Sequence, residues 1–297
     1  MDFSQYKFSP TVLPKIMSNS KAVLSDSGSR DLVKIETKQI KGIPLSDEEE
    51  KKLKRLLIQR ENSAKGGIIL SEGCKNFLCG IYLEEVYGKR YRLLKPETGI
   101  GVPQMVRGVK TEKNGLALLC EVDGKKYYKY KKTVENQYIT GKLDIIDAPE
   151  LKDAKKILDI KSAKDEISFF NKMDDPFTDA NIMQMQAYFG ITGISEGEIV
   201  HCLVGEPDDV IEEQRQLLFD KMCPDGVQTE SFLSSWSAAK KSMLYEDIPA
   251  KSRLIGFKVY RDDDFIELIY ETVRECRKWL NEYHTEHKKF ISRRYFE

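Results

Sequence analysis

The sequence predicts an α/β fold: a central mixed sheet flanked by helices, preceded by an N-terminal helical addition and closed by a long C-terminal helix. Three observations carry this. Strand-like runs over 138–146, 157–161, 197–204 and 255–260 alternate with stretches whose apolar residues recur at three and four. The first 70 residues hold a capped helix but no strand of comparable strength. Residues 262–291 set Phe265, Ile266, Ile269, Val273, Cys276, Leu280 and Tyr283 along one side of a single long helix. No internal repeat and no linker composition interrupts the chain, so one domain over 1–297 is the economical reading. It divides into an N-terminal addition (1–70), a core (71–220) and a C-terminal strand and helix (221–297).

Taken in order, YKFSPTVLPKIM over 6–17 reads as an extended piece followed by a helical turn begun near Pro10. Residues 18–42 give weak signals for a surface segment with one short helix or strand. Ser46 caps a helix whose acids precede its bases, as the helix dipole favours, and which ends before Gly66 and Gly67. Ser71 caps the next, with Phe77, Leu78, Ile81, Tyr82 and Val86 at helical spacing and Gly88 as its stop. Residues 102–119 read as a helix despite Gly108 and Gly115, with Glu112 in line with the stripe of Met105, Leu116 and Leu119. Residues 121–132 read as a hairpin turning at Asp123-Gly124. After the runs at 138–146 and 157–161 come a short amphipathic piece over 165–173 and a helix capped by Thr178 and ended by Gly190. A buried strand over 197–204 and a charged helix over 208–222 follow. Residues 224–250 read as a loop with a short helix around Trp236, before the strand at 255–260 and the last helix.

Composition sets limits. With 40% hydrophobic and 32% charged residues the chain can bury a sizeable core, and with 48 basic and 48 acidic side chains it has no global charge to attract nucleic acid. Any such attraction must come from local patches. No apolar run reaches the ~20 residues that span a bilayer, and the first residues lack the apolar stretch of a signal peptide, so a soluble cytoplasmic protein is expected. The six cysteines include no CxxC pair. Reduced, mostly buried thiols are expected rather than a zinc or iron–sulfur cluster.

The chemistry concentrates in YITGKLDIIDAPELKDAKKILDIKSAK, residues 138–164. Strand side chains alternate faces, so Asp159 and Lys161 project to one side while Ile160 points to the other. Asp144, in the neighbouring run, adds a second acid. Two carboxylates and an ammonium on adjacent strands make a cation site. Asp144 is preferred over Asp147, which lies in the connection.

In order along the chain, Glu112, the G-K-L-D ending at Asp144, the D-I-K of Asp159 to Lys161 and the Q-x-x-x-Y of Gln184 to Tyr188 resemble the motifs of the PD-(D/E)xK nuclease superfamily. The Q-x-x-x-Y element is similar to that of its RecB-like and phage exonuclease branch, of the YqaJ or lambda exonuclease type. The leading segments SPTVLPKIMS and LSEGCKNFLCGIYLEEVYG also resemble those of phage enzymes. Leu143 stands where the literal motif has proline. The resemblance implies a restriction-endonuclease-like core and a Mg²⁺-dependent deoxyribonuclease, with Mn²⁺ able to substitute. Glu112, Asp144, Asp159 and the backbone carbonyl of Ile160 would be the metal ligands. Lys161 would be the base or water-positioning group, and Gln184 and Tyr188 would orient the lysine, the metal waters or the scissile phosphate. A hard divalent cation suits carboxylate oxygens, and phosphodiester hydrolysis needs the activated water and charge neutralisation that it supplies.

The substrate class implied is DNA, digested by an exonuclease in recombination or DNA processing, in a bacterial host cell for a phage protein. A single-strand annealing or recombination protein is an implied partner, and a ring-forming homo-oligomer is allowed. Lys164, just past Lys161, and Arg107, on the Glu112 helix, are candidate phosphate contacts, with the Lys- and Tyr-rich stretch from Lys125 to Lys132 as a further basic patch. A structure- or sequence-selective endonuclease of the same fold and a protein that binds DNA or a partner without cutting it remain open alternatives.

Overall fold

A computed structural model describes residues 1–17, 26–40, 44–65, 68–88, 103–163, 165–174 and 178–295. Its helices begin with α1 (Leu13–Met17), α2 (Asp26–Ile40), α3 (Asp47–Lys65), α4 (Glu72–Tyr87) and α5 (Pro103–Asp123). Short strands β1 (Tyr128–Lys129), β2 (Thr133–Glu135), β3 (Thr140–Lys142) and β4 (Ile145–Ile146) lead to β5 (Lys156–Ser162). Then come α6 (Glu166–Phe170), α7 (Asp179–Thr192), β6 (Glu196–Cys202), α8 (Asp208–Met222) and α9 (Glu230–Leu244). The chain closes with β7 (Leu254–Tyr260) and the long α10 (Asp263–Tyr295). The chain divides into two compact units, Met1–Tyr91 with Glu135–Gly141 and Asp262–Glu297, and Arg92–Val134 with Lys142–Arg261.

In the first unit, α1 packs against α4 and α10, and α2 against α3 through Leu32, Ile35, Leu53 and Leu56. Local signals act as the sequence suggests. Ser46 Oγ accepts from the Glu49 amide at 3.3 Å while Glu49 accepts from the Ser46 amide at 3.1 Å, a reciprocal cap for α3. Ser71 caps α4 through the Cys74 amide, and Gly88 ends it at φ +76°, a conformation only glycine adopts without strain. Along α10, Ile266, Ile269, Val273, Cys276 and Leu280 are buried. Arg277, also buried, donates to the carbonyls of Tyr6 and Gln137.

The second unit holds a mixed sheet in the order β1-β4-β5-β6-β7, five strands among the described residues. Every pairing is antiparallel except β5 with β6. That parallel pair needs a long crossover, and the segment carrying α6 and α7 supplies it. Alternation along β5 and β6 sorts the residues onto two faces. Leu158, Ile160, Val200 and Cys202 meet Leu118 and Leu119 of α5 in one buried cluster, each such side chain contributing about 1.5–3 kcal/mol by leaving water. A Cβ on Gly115 would sit 2.9 Å from Ile160 Cγ2, so the glycine is what lets α5 lie this close to β5. On the opposite face a Cβ on Gly197 would meet Met185 and Phe189 of α7 at 2.8 Å. Helices therefore cover both faces, as predicted.

Several boundaries differ from expectation. The run at 138–146 is two strands, β3 and β4, split at Leu143 and Asp144, and only β4 forms the hairpin with β5. The start of the hairpin predicted over 121–132 is the last turn of α5, where Val122 packs on the sheet cluster and Gly124 at φ +62° ends the helix. β1 then pairs with β4 rather than closing a local hairpin. Residues 26–40 form a full helix, and so do residues 230–244, where Thr229 accepts from the Phe232 amide and caps a longer α9 than the short helix expected. α7 runs past Gly190 to Thr192 and ends at Gly193, φ +78°. All six cysteines are free thiols, and Cys74, Cys202, Cys223 and Cys276 are buried. No helix among the described residues is long and apolar enough to cross a membrane.

Candidate active site

Asp159 lies mid-strand in β5, on the face turned toward α7, and is 2% exposed. Both its carboxylate oxygens are buried, and neither accepts a hydrogen bond. Lys161, two residues on and hence on the same face, brings Nζ to 2.9 Å from Oδ2, an ion pair without the alignment of a hydrogen bond. A buried carboxylate left this way is costly, and a cation beside it lowers that cost.

Asp144 reaches the same place because of where β4 stops. The last pair of the hairpin is Ile145 with Leu158. Continuing that register by one residue sets Asp144 opposite Asp159 on a shared face, although the strands have parted there. Its carbonyl accepts from the Tyr130 amide at 3.0 Å, which fixes it to the β1 side. Burial, and next the neighbouring Asp159 carboxyl, push the Asp144 carboxyl up to about 8; Lys161 works against this and Glu112 adds a further upward push. Asp147 has a different duty. Its Oδ1 accepts from the amides of Lys155 at 2.9 Å and Lys156 at 3.0 Å and closes the hairpin connection.

The Ile160 carbonyl can be oriented from the pairing. Lys156 O accepts from the Asp147 amide on the β4 side at 3.3 Å. Carbonyl direction repeats every second residue, so those of Leu158 and Ile160 turn the same way, and opposite Ile160 β4 has already ended. The carbonyl faces the gap that Asp144 borders.

Gln184 and Tyr188, one turn apart on α7, act together. Gln184 Nε2 donates to the Tyr188 hydroxyl at 3.3 Å, and the hydroxyl donates to the Lys142 carbonyl at 2.7 Å. Lys142 ends β3 two residues before Asp144. The pair therefore holds the backbone that leads to the acid. Burial raises the Tyr188 hydroxyl to about 12; the Gln184 bond opposes this and the charges of Asp144 and Asp159 add to it. The hydroxyl stays a donor at any working pH. Tyr188→Phe is expected to leave the Lys142 carbonyl without that partner, at about 1–3 kcal/mol. Melting curves of the variant would measure the loss.

Glu112 is not gathered with the other two acids. α5 covers the Ile160 face of the sheet, and Glu112 there is ion-paired with Lys129 of β1 at 2.6 Å. Among the described residues no three His, Cys, Asp or Glu side chains form a group ready to hold a metal. Asp144, Asp159 and Lys161 converge; Glu112 stands by, close enough to weigh on Asp144 but committed to another cation. Thr111, next to it and fully buried, donates to Ser162 Oγ at 2.8 Å and pins α5 to the end of β5. Lys164 and the side chain of Arg107 lie outside the described residues. Lys129 was legible only as one of several hairpin lysines, since nothing local announces that β1 pairs with β4.

The donors fit a hard divalent cation: buried, unbonded carboxylate oxygens, a second carboxyl one register step away and a main-chain carbonyl turned to the same gap. No protein-family model matches the chain, and no curated protein sequence does. Among solved structures, a phage-related exonuclease from Haemophilus somnus 129PT is similar at 18% identity with a TM-score of 0.58, over 95% of this chain and 97% of that one. An alkaline exonuclease from Laribacter hongkongensis, LHK-Exo, gives 12% identity and a TM-score of 0.49 over 75% and 87%. The first likeness extends over nearly the whole of both chains, and at that identity it speaks for architecture alone: the chain shares the fold of that phage-related exonuclease.

Proposed function

We propose that this protein is a metal-dependent deoxyribonuclease that hydrolyses phosphodiester bonds, acting as a phage-type exonuclease in recombination or DNA processing. The observation that carries the reading is Asp159, whose two buried oxygens accept no hydrogen bond and lie beside Asp144 and Lys161. The fold shared with a phage-related exonuclease supports the same reading.

Asp144, Asp159 and the Ile160 carbonyl would hold Mg²⁺, with Glu112 able to join after leaving Lys129. When bound, the ion supplies an activated water and neutralises charge on the phosphate. The protein's own residues do the rest. Lys161 Nζ, released from Asp159, would orient the attacking water and face the negative charge on the phosphate oxygens. Tyr188 and Gln184 keep Asp144 in register with Asp159 throughout. Asp147 holds the hairpin connection so that the register cannot slip.

Linear and covalently closed circular DNA, each incubated with the protein and Mg²⁺ or Mn²⁺, provide the test. The expected outcome is loss of the linear DNA alone, with Lys161→Ala slower by about 10²–10⁴-fold, the usual contribution of a group that handles the proton or water. Nicking of the circle would replace the exonuclease reading with an endonuclease one. Cleavage retained in full by the variant would remove Lys161 from the site.

A further inference from the structure

Two of the three candidate acids already carry a cation from the protein itself. Lys161 sits on Asp159 at 2.9 Å, and Lys129 sits on Glu112 with Nζ at 2.6 Å from both Oε1 and Oε2. The second arrangement leaves neither oxygen of Glu112 free for a metal, because an ammonium and a divalent cation would have to share the same pair of oxygens.

We propose that Lys129 is an exchangeable counter-ion: it fills the metal's place at Glu112 and, when the ion arrives, turns its ammonium to a phosphate of the DNA strand. The inference rests on the nuclease reading above. The place of Lys129 in the fold supports it. Its backbone is fixed within one residue of the acids, since it pairs with Ile145 and the next amide, Tyr130 N, binds the Asp144 carbonyl. Among the described residues β1 is the edge of the sheet. Its side chain is 49% exposed against 22% for Glu112, and its long stem lets the head move while the strand stays put. An ion pair this exposed contributes little to stability, so giving it up costs little. A phosphodiester entering the site brings the negative charge that the displaced ammonium would otherwise lack. The same lysine would thus keep Glu112 neutralised in the empty site and add a phosphate contact in the loaded one.

Titration calorimetry with Mn²⁺ alone, on the wild type and on Lys129→Ala, tests the first half. Removing the competitor is expected to tighten Mn²⁺ binding by a factor of up to about five. Binding of a short fluorescent duplex with Ca²⁺ in place of Mg²⁺ tests the second half. The variant is expected to bind more weakly, with a salt slope shallower by about one, the signature of one lost phosphate contact. A wild type that binds no Mn²⁺ overturns the nuclease reading and this inference with it. A wild type that binds Mn²⁺ while the variant binds it equally or less tightly overturns the counter-ion role alone. Unchanged DNA affinity and salt slope overturn the phosphate contact.

Discussion

Asp159→Asn is expected to give a metal-free protein that melts higher than the wild type and cleaves DNA about a thousandfold more slowly or worse. The two effects have one cause. Above about pH 8, where Asp144 has lost its proton, a buried carboxylate stands next to a second one, and the Lys161 ammonium beside it is 35% exposed and not aligned to bond it. An uncompensated buried polar group costs about 1–3 kcal/mol, while a partly exposed ion pair returns about 0–1 kcal/mol. The burden wins. Asparagine has nearly the same shape, carries no charge and offers an amide N–H toward Asp144. A relief of about 1–2 kcal/mol would raise the melting temperature by several degrees in a chain of this size. The same change removes a hard anionic ligand, and the several kcal/mol of charge stabilisation that a bound ion supplies translate into about three powers of ten. Calorimetry in EDTA, calorimetry with excess Mn²⁺ and a cleavage assay separate the terms. The upward shift in melting that Mn²⁺ produces in the wild type should vanish in the variant. A variant that melts lower than the wild type in EDTA would mean that the Lys161 ion pair outweighs the desolvation of Asp159.

What could be read from the sequence was what depends on local periodicity. Asp159 and Lys161 share a face because strands alternate, and Gln184 and Tyr188 share one because four residues make about a turn of helix. The caps at Ser46, Ser71 and Thr178 have the same origin, since each satisfies an amide only three residues away. Long-range pairing was hidden. The break at Leu143–Asp144 exists because β3 pairs with β2 while β4 pairs with β1 and β5, and no residue within the run 138–146 encodes that exchange of partners. The junction of Lys129 with Glu112 has the same root, for it needs β1 against β4 and α5 against β5 at once. α5 outran its predicted end at 119 because Val122, partly buried, packs against the sheet, and the chain turns only at Gly124. Tyr188 shows the intermediate case: its spacing from Gln184 was visible, but its true partner, the carbonyl of Lys142, lies 46 residues away.

That partner matters because it fixes the acid behind the second large effect, the linkage of stability to pH through Asp144. Its carboxyl, ordinarily near 3.8, is raised to about 8 by burial first and by Asp159 next, so the folded metal-free protein binds this proton more tightly than the unfolded chain does. The contribution to stability is complete below the ordinary carboxylate range and is lost as pH climbs from about 4 through about 8. The melting temperature of the wild type in EDTA should therefore fall across that interval by the equivalent of several kcal/mol. His284 works in the opposite direction, since burial lowers its proton affinity and its contribution grows as pH rises through its usual 6.5. The carboxylates of Asp2, Glu49, Glu135 and Asp209, all shifted down, have delivered their share before the interval is well begun. Asp144→Asn leaves all of these in place, so the wild-type curve minus the variant curve isolates the one proton. That difference should slope downward with pH, Mn²⁺ affinity of the wild type should rise with pH over the same span as the proton is displaced, and cleavage by the variant should drop about a thousandfold. Parallel melting curves for the two proteins between pH 4 and 8 would mean that Asp144 is already ionised in the folded state and that Lys161, rather than a proton, balances the pair of acids.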